Sequence, residues 1–256
     1  MNLKYLAHIL LSVPLIPLIY FQGKKVYKKI PKLPDAEGNS GKIDNQSDRT
    51  LNLLFIGESA IAGVGVRNHS NSFVGHFSKL IADKLNRNVT WNVFARSGYN
   101  IQKINERILP KINIENADLI LVGIGGNDSF ELTTPTKFNV NIHKSITFLQ
   151  SKFPDKPIVF VNFPPVKYFP IFTKPMQFVL GSRAEILQDA FKKSIPKNKN
   201  IYFMSDGEIF QKWRTEKNMK IEELFSDGVH PSEKTYFLWA EESVNFTLDQ
   251  NILRSV

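Results

Sequence analysis

The 256-residue sequence is 42% hydrophobic and 22% charged, which supplies one substantial core and excludes a disordered, collagen-like or disulfide-stapled chain. It has no cysteine, so thiolate nucleophiles, cysteine-ligated zinc and disulfides are excluded as well. The formal net charge of +9 raises nucleic acid as a partner, but much of the excess is Lys24, Lys25, Lys28, Lys29 and Lys32, directly after an apolar N-terminal stretch. That placement suits anionic lipid headgroups, and no basic groove interleaved with aromatics is present, so no nucleic-acid partner is expected.

Residues 1–29 read as a hydrophobic anchor with a basic flank. The stretch from Tyr5 to Phe21 is apolar, contains Pro14 and Pro17, and sits at the lower length limit for a spanning helix. Gln22, Gly23 and lysines follow it where a cleavage site would need small residues, so an anchor is favoured over a cleaved signal peptide. By the positive-inside rule the lysines place the folded domain in the cytoplasm, with a periplasmic or secreted location as the alternative. Residues 30–50, rich in Pro, Gly, Asn and Ser without apolar period, read as a linker. The folded domain is expected over 51–256.

Within it, apolar runs at 51–56, 90–94, 119–124, 158–163 and 201–204 predict strands, and amphipathic segments at 73–85, 101–112, 137–152, 183–194 and 232–248 predict helices. Strands rich in Val, Ile and Leu alternating with helices predict a three-layer α/β/α sandwich around a parallel sheet of about five strands. In such a sheet the loops at the carboxyl ends of the strands share one edge, where ligands bind. Gly57-Glu58-Ser59 follows the first strand, Arg96-Ser97-Gly98 the second and Gly125-Gly126-Asn127-Asp128 the third; Asp227 and His230 precede the last helix.

Acyl transfer to water needs a nucleophile, a base, a group that orients the base, and donors for the oxyanion. Ser59 fits the nucleophile, His230 the base and Asp227 the orienting acid, while the Asn127 amide and the N–H groups of Gly98 and Ser59 fit the oxyanion hole. Each residue taken singly also has a structural reading: Ser59 as a helix cap, Asn127 and Asp128 as turn residues, Gly98 as a turn glycine. The structural reading is retained for Asp128.

The four blocks Gly57-x-Ser59, Gly98, Gly125-x-Asn127-Asp128 and Asp227-x-x-His230, in that order over roughly residues 51–247, resemble the SGNH hydrolases, also called GDSL-type esterases. The resemblance implies a flavodoxin-like fold, ester or acetyl-ester hydrolysis without metal or other cofactor, Ser59 as nucleophile, Gly98 and Asn127 as oxyanion donors, and His230 and Asp227 as base and orienting acid. Glu58 stands where the family usually has aspartate, which bears on the support of Ser59. The expected substrate is a small or lipid-like ester, cleaved through an acyl-enzyme. Alternatives are an acyltransferase or carbohydrate deacetylase with the same triad, or a non-catalytic binding module, though residues 57–65 lack a P-loop lysine.

The irregular, aromatic stretch from Asn162 to Gly181 is a rigid cover, a membrane-facing segment or a wall of the acyl pocket; Phe163, Phe169, Phe172, Met176 and Phe178 are the pocket candidates. His8, His69, His76 and His143 are expected on the surface or on helix faces and form no metal-ligand pattern. Since every motif lies beyond the linker, the site is expected to be complete without the leader.

Overall fold

The computed structural model describes residues 3–195, 200–205 and 209–253. Its elements are α1 (Leu3–Ser12), α2 (Ile16–Lys29), β1 (Ser40–Ile43), β2 (Thr50–Gly57), α3 (Phe73–Leu85), β3 (Asn88–Ala95), α4 (Ile101–Arg107), β4 (Leu119–Gly123), α5 (Gly126–Phe130), α6 (Pro135–Lys152), β5 (Ile158–Phe160), α7 (Lys174–Ser194), β6 (Ile201–Phe203), α8 (Ile209–Glu216) and α9 (Glu233–Asp249). The strands form one sheet in the order β1-β3-β2-β4-β5-β6. From β3 to β6 all pairings are parallel, and β1 joins β3 antiparallel. With β1 set aside, the parallel strands run in the flavodoxin-like order, and the chain reverses direction across the sheet between β2 and β4.

Alternation along the strands explains the three layers. Leu51, Leu53 and Phe55 of β2, with Leu119 and Leu121 of β4, enter one apolar cluster with α3 and α9. Leu54, Ile56, Ile120 and Val122 point the other way, into a second cluster with α4 and α6. Side chains of period two buried on both faces are what a helix-covered parallel sheet requires.

Two expectations are corrected. The sheet has six strands where about five were expected, because residues 40–43, within the stretch read as a linker, pair with β3. This edge strand has no apolar run: its Gly41 lies under the Trp91 ring, where a Cβ would come within 2.4 Å, and packing against that ring replaces a hydrophobic pattern. The fourth expected helix starts well before 183, since Thr173 caps Met176 N–H and the proline at position 175 sits in the first turn, where its missing N–H costs nothing. Part of the stretch from Asn162 to Gly181, read as irregular, is therefore the first two turns of α7.

At the reversal point, Gly57 and Gly123 are register partners at the ends of β2 and β4. A Cβ on Gly57 would meet the Gly123 carbonyl oxygen at 2.4 Å and the Ile61 side chain at 2.6 Å. Gly57→Ala is expected to cost about 1–3 kcal/mol by overpacking and to reduce activity by shifting the loop that follows. Urea unfolding checks it; an unchanged midpoint would mean that the two strand ends part without strain.

Candidate active site

The turn after β2 presents Glu58 and Ser59. Ile61 N–H and Ala62 N–H donate to the Glu58 carbonyl (3.0 and 2.9 Å), and Val64 N–H donates to the Ser59 carbonyl (3.1 Å), so the backbone coils tightly under the hydroxyl. The same turn is held from the far end of the chain: the fully buried Tyr236 hydroxyl, on α9, donates to the Val64 carbonyl at 2.7 Å.

The loop before α9 carries Asp227 and His230. Asp227 Oδ1 accepts the N–H groups of Val229 and His230 (2.9 and 2.8 Å), and Oδ2 lies 2.7 Å from His230 Nδ1. Gly228 makes the turn at φ +88°. Burial alone would raise the Asp227 carboxyl, but the His230 ring and the two N–H groups outweigh it and hold it below the ordinary aspartate value. An ionised carboxylate only accepts, so Nδ1 carries the proton and Nε2 is the nitrogen left for chemistry. Asp227 is fully covered while the His230 ring reaches the cavity described below.

The first, second and third blocks meet through buried carboxyl groups. Glu58 accepts from Gly126 N–H at 2.7 Å, from Asn127 N–H at 2.8 Å and from the Asn127 side-chain amide. The longer side chain at the family's aspartate position thus spans from the end of β2 to the start of α5. The Asn127 amide also donates to the Tyr99 carbonyl at 3.2 Å, so both of its hydrogens are engaged. Asp128, expected as a turn residue, is buried and accepts from Ile101 N–H at 2.9 Å, which fastens the loop of Gly98 to the loop of Asn127. Gly98 has φ +79° with open space where a Cβ would project, so the backbone there faces an approachable surface.

Ser59, Gly98, Asn127 and His230 all line one cavity of about 840 Å³, and Phe163, Phe169, Phe172 and Met176 are among its apolar wall residues. Phe178 does not line it: the ring lies 44% exposed on the outside of α7, with its centroid 6.5 Å from the His8 ring. Other walls escaped the sequence reading. Phe130 and Trp239 contribute, and so do Ile16, Ile19, Tyr20, Gly23, Val26 and Tyr27 of α2. The leader is therefore part of the cavity, and the expectation of a site complete without it does not hold for the wall. Their spacing of three and four was the signal available in the sequence. Of the histidines expected on the surface or on helix faces, His8 and His69 are buried; His8 bonds the Val179 carbonyl (3.0 Å), and burial pushes the His69 ring down to about 4.

Residues 55–237 match the GDSL-like lipase/acylhydrolase family. The chain belongs to that family. At that general level it is an ester hydrolase of the lipase and esterase kind. Among solved structures it is similar to a family 3 carbohydrate esterase from Clostridium thermocellum (19% identity, TM-score 0.61, covering 81% of this chain and 98% of that one). It is also similar to a lipase/acylhydrolase from Enterococcus faecalis (16%, TM-score 0.58, 78% and 96%) and an acetylxylan esterase from Geobacillus stearothermophilus (15%, TM-score 0.58, 76% and 93%). At these identities the likeness is one of fold. No functionally curated protein matches the sequence at a significant level.

Burial pushes the Glu58 carboxyl up from 4.5 to about 8, against the pull of the Asn127 and Gly126 N–H groups, and the neighbouring Asp128 charge pushes the same way. The folded protein thus holds this proton more tightly than the unfolded chain. Its contribution to stability is complete below about 4.5 and is lost as pH rises through about 8. The stability of wild type relative to Glu58→Gln is expected to fall between those limits, measured as urea midpoints at several pH values. A difference that rises over the window would reverse the assignment and make Glu58 a stabilised carboxylate.

Proposed function

We propose that the chain is a serine esterase acting through an acyl-enzyme, with Ser59 as nucleophile, His230 as general base and Asp227 as the group that orients it. The observation that carries this reading is the Asp227–His230 pair, which engages Nδ1 and leaves Nε2 as the available nitrogen of a ring that lines the same cavity as Ser59, at the reversal point of the sheet. In the first step the Ser59 oxygen bonds to the ester carbonyl carbon as its proton passes to His230 Nε2. The tetrahedral oxyanion is met by the N–H groups of Ser59 and Gly98 and by the Asn127 amide. Collapse expels the alcohol, which takes the proton from His230. Water then repeats the sequence and releases the acid.

Asn127 enters this scheme with its amide hydrogens directed at Glu58 and the Tyr99 carbonyl. One of those bonds is exchanged for the oxyanion as charge develops, and the one to Tyr99, at 3.2 Å, is the weaker by length. Glu58 then keeps its hold on the amide and aims it. The cavity wall of Phe130, Phe163, Phe169, Phe172 and Met176 suits an apolar acyl group better than a sugar, whose hydroxyls need polar partners.

Ser59→Ala is expected to keep the fold and lose about 10⁴-fold or more in turnover of a chromogenic short-chain ester, together with stoichiometric labelling by a fluorophosphonate. Near-normal turnover by the purified variant would remove Ser59 from the mechanism. Asn127→Ala is expected to lower kcat by about 10²–10³ with a smaller change in KM, as for one oxyanion donor. A change confined to KM would make Asn127 a substrate-binding group.

A further inference from the structure

The segment formed by α1 and α2 has two faces with opposite duties. Inward, Ile19 and Val26 are buried in the main apolar cluster, the Thr173 hydroxyl donates to Gln22 Oε1 at 2.5 Å, and His8 bonds the Val179 carbonyl. Outward, Leu10, Leu11, Val13, Leu18 and Phe21 are exposed, Leu10 by 74% and Phe21 by 64%, and the exposed Phe178 ring of α7 lies 6.5 Å from the His8 ring of α1. Lys24, Lys25, Lys28, Lys29 and Lys32 follow this patch, all exposed, and no acidic residue occurs before Asp35.

We infer that the α1–α2 segment lies in the plane of an anionic lipid bilayer, its outer face in the lipid and its inner face forming a wall of the acyl cavity, so that the ester cleaved is a lipid taken from that bilayer. The inference rests on the reading of Ser59 as an esterase nucleophile. By length and composition the helix from Tyr5 to Lys29 is long and apolar enough to cross a membrane. Crossing, however, requires it to leave α7, giving up the Thr173 and Val179 contacts and taking Ile19 and Val26 out of the cluster they share with Phe169, Phe172 and Met176. Lying flat keeps all of these and still gives the outer residues an apolar surroundings. Charge favours lipid over a second copy of the chain, since a self-paired face would set these lysines against one another with no carboxylate among the first 34 residues to offset them.

The full-length protein tests this in three ways. It is expected to float with phosphatidylcholine vesicles containing about a third phosphatidylglycerol and far less with phosphatidylcholine alone, the binding weakening with salt. Leu11→Glu/Phe21→Glu is expected to lose that binding while hydrolysing a soluble short-chain ester as before. Because the chain has no cysteine, Gln22→Cys/Thr173→Cys offers a single pair for a short bismaleimide, and bridging on the vesicle is expected. Gly23 faces the cavity with no atom within 4 Å of a built Cβ, so Gly23→Phe is expected to narrow the cavity and cut long-chain ester turnover about tenfold relative to the short-chain ester. Equal binding to both vesicles, no bridging, an unchanged chain-length preference, a mature chain that starts beyond the leader, or a dimer that replaces vesicle binding would each overturn the inference. Absence of any ester hydrolysis by wild type would instead overturn the reading of Ser59, and the vesicle and cross-linking results would still stand or fall without turnover.

Discussion

The active edge of this protein depends on one buried carboxyl group. Gly57 and Gly123 bring the ends of β2 and β4 so close that no side chain fits between them, and Glu58, the next residue, fills the gap beyond by accepting two backbone N–H groups and one side-chain amide from Gly126 and Asn127. A buried carboxyl without such donors would cost several kcal/mol. Supplied with three, it becomes a clamp between the loop that carries Ser59 and the loop that carries Asn127. Aspartate is the usual residue here in the family the sequence resembles; in this chain the longer glutamate makes the span to Gly126 and Asn127.

The other half of the site is assembled by packing. Asp227 and His230 lie some 170 residues from Ser59 in sequence, and no hydrogen bond between the two loops would by itself overcome the entropy of closing so long a loop. What closes it is α9 against α3 and the sheet, with Trp239 beside Phe73 (ring centroids 4.2 Å apart) and Tyr236 wholly buried. The Tyr236 hydroxyl then converts that apolar docking into a registered contact with the turn under Ser59. Gly65, at φ +106°, lets the serine loop pass within contact of Ser226 and Pro231, where a side chain would collide. Core packing and site geometry are here a single arrangement.

What the sequence made legible follows the same division. Parallel strands and their helices were readable because burial on both faces demands continuous apolar runs, and the four polar blocks were readable because chemistry restricts residue type at each strand end. β1 was not, since an edge strand of four residues with a glycine under a tryptophan leaves no periodic trace. The direction of an individual side chain was not either: Phe178 shares its composition with Phe172 and Met176, but falls on the outer face of α7 because helical phase, unlike local hydrophobicity, depends on where the helix starts. The true start at Lys174 was hidden by its proline.

The leader shows how two correct signals conflict. A hydropathy window averages around the helix and so reports that the segment from Tyr5 to Lys29 is apolar enough to span a bilayer, whichever way its residues point. Periodicity keeps the phase, and Ile16, Ile19, Gly23, Val26 and Ile30 recur at intervals of three and four along a single stripe, which is the mark of a helix packed on a protein surface. The stripe prevails in the structure because Ile19 and Val26 join the same buried apolar cluster as Phe169, Phe172 and Met176 and line the same cavity. Residues outside the stripe make the average high, and Leu10, Leu11, Val13, Leu18 and Phe21 among them are left exposed. Average hydropathy therefore reports the affinity of the segment for an apolar medium, whereas its phase determines which face the catalytic domain holds.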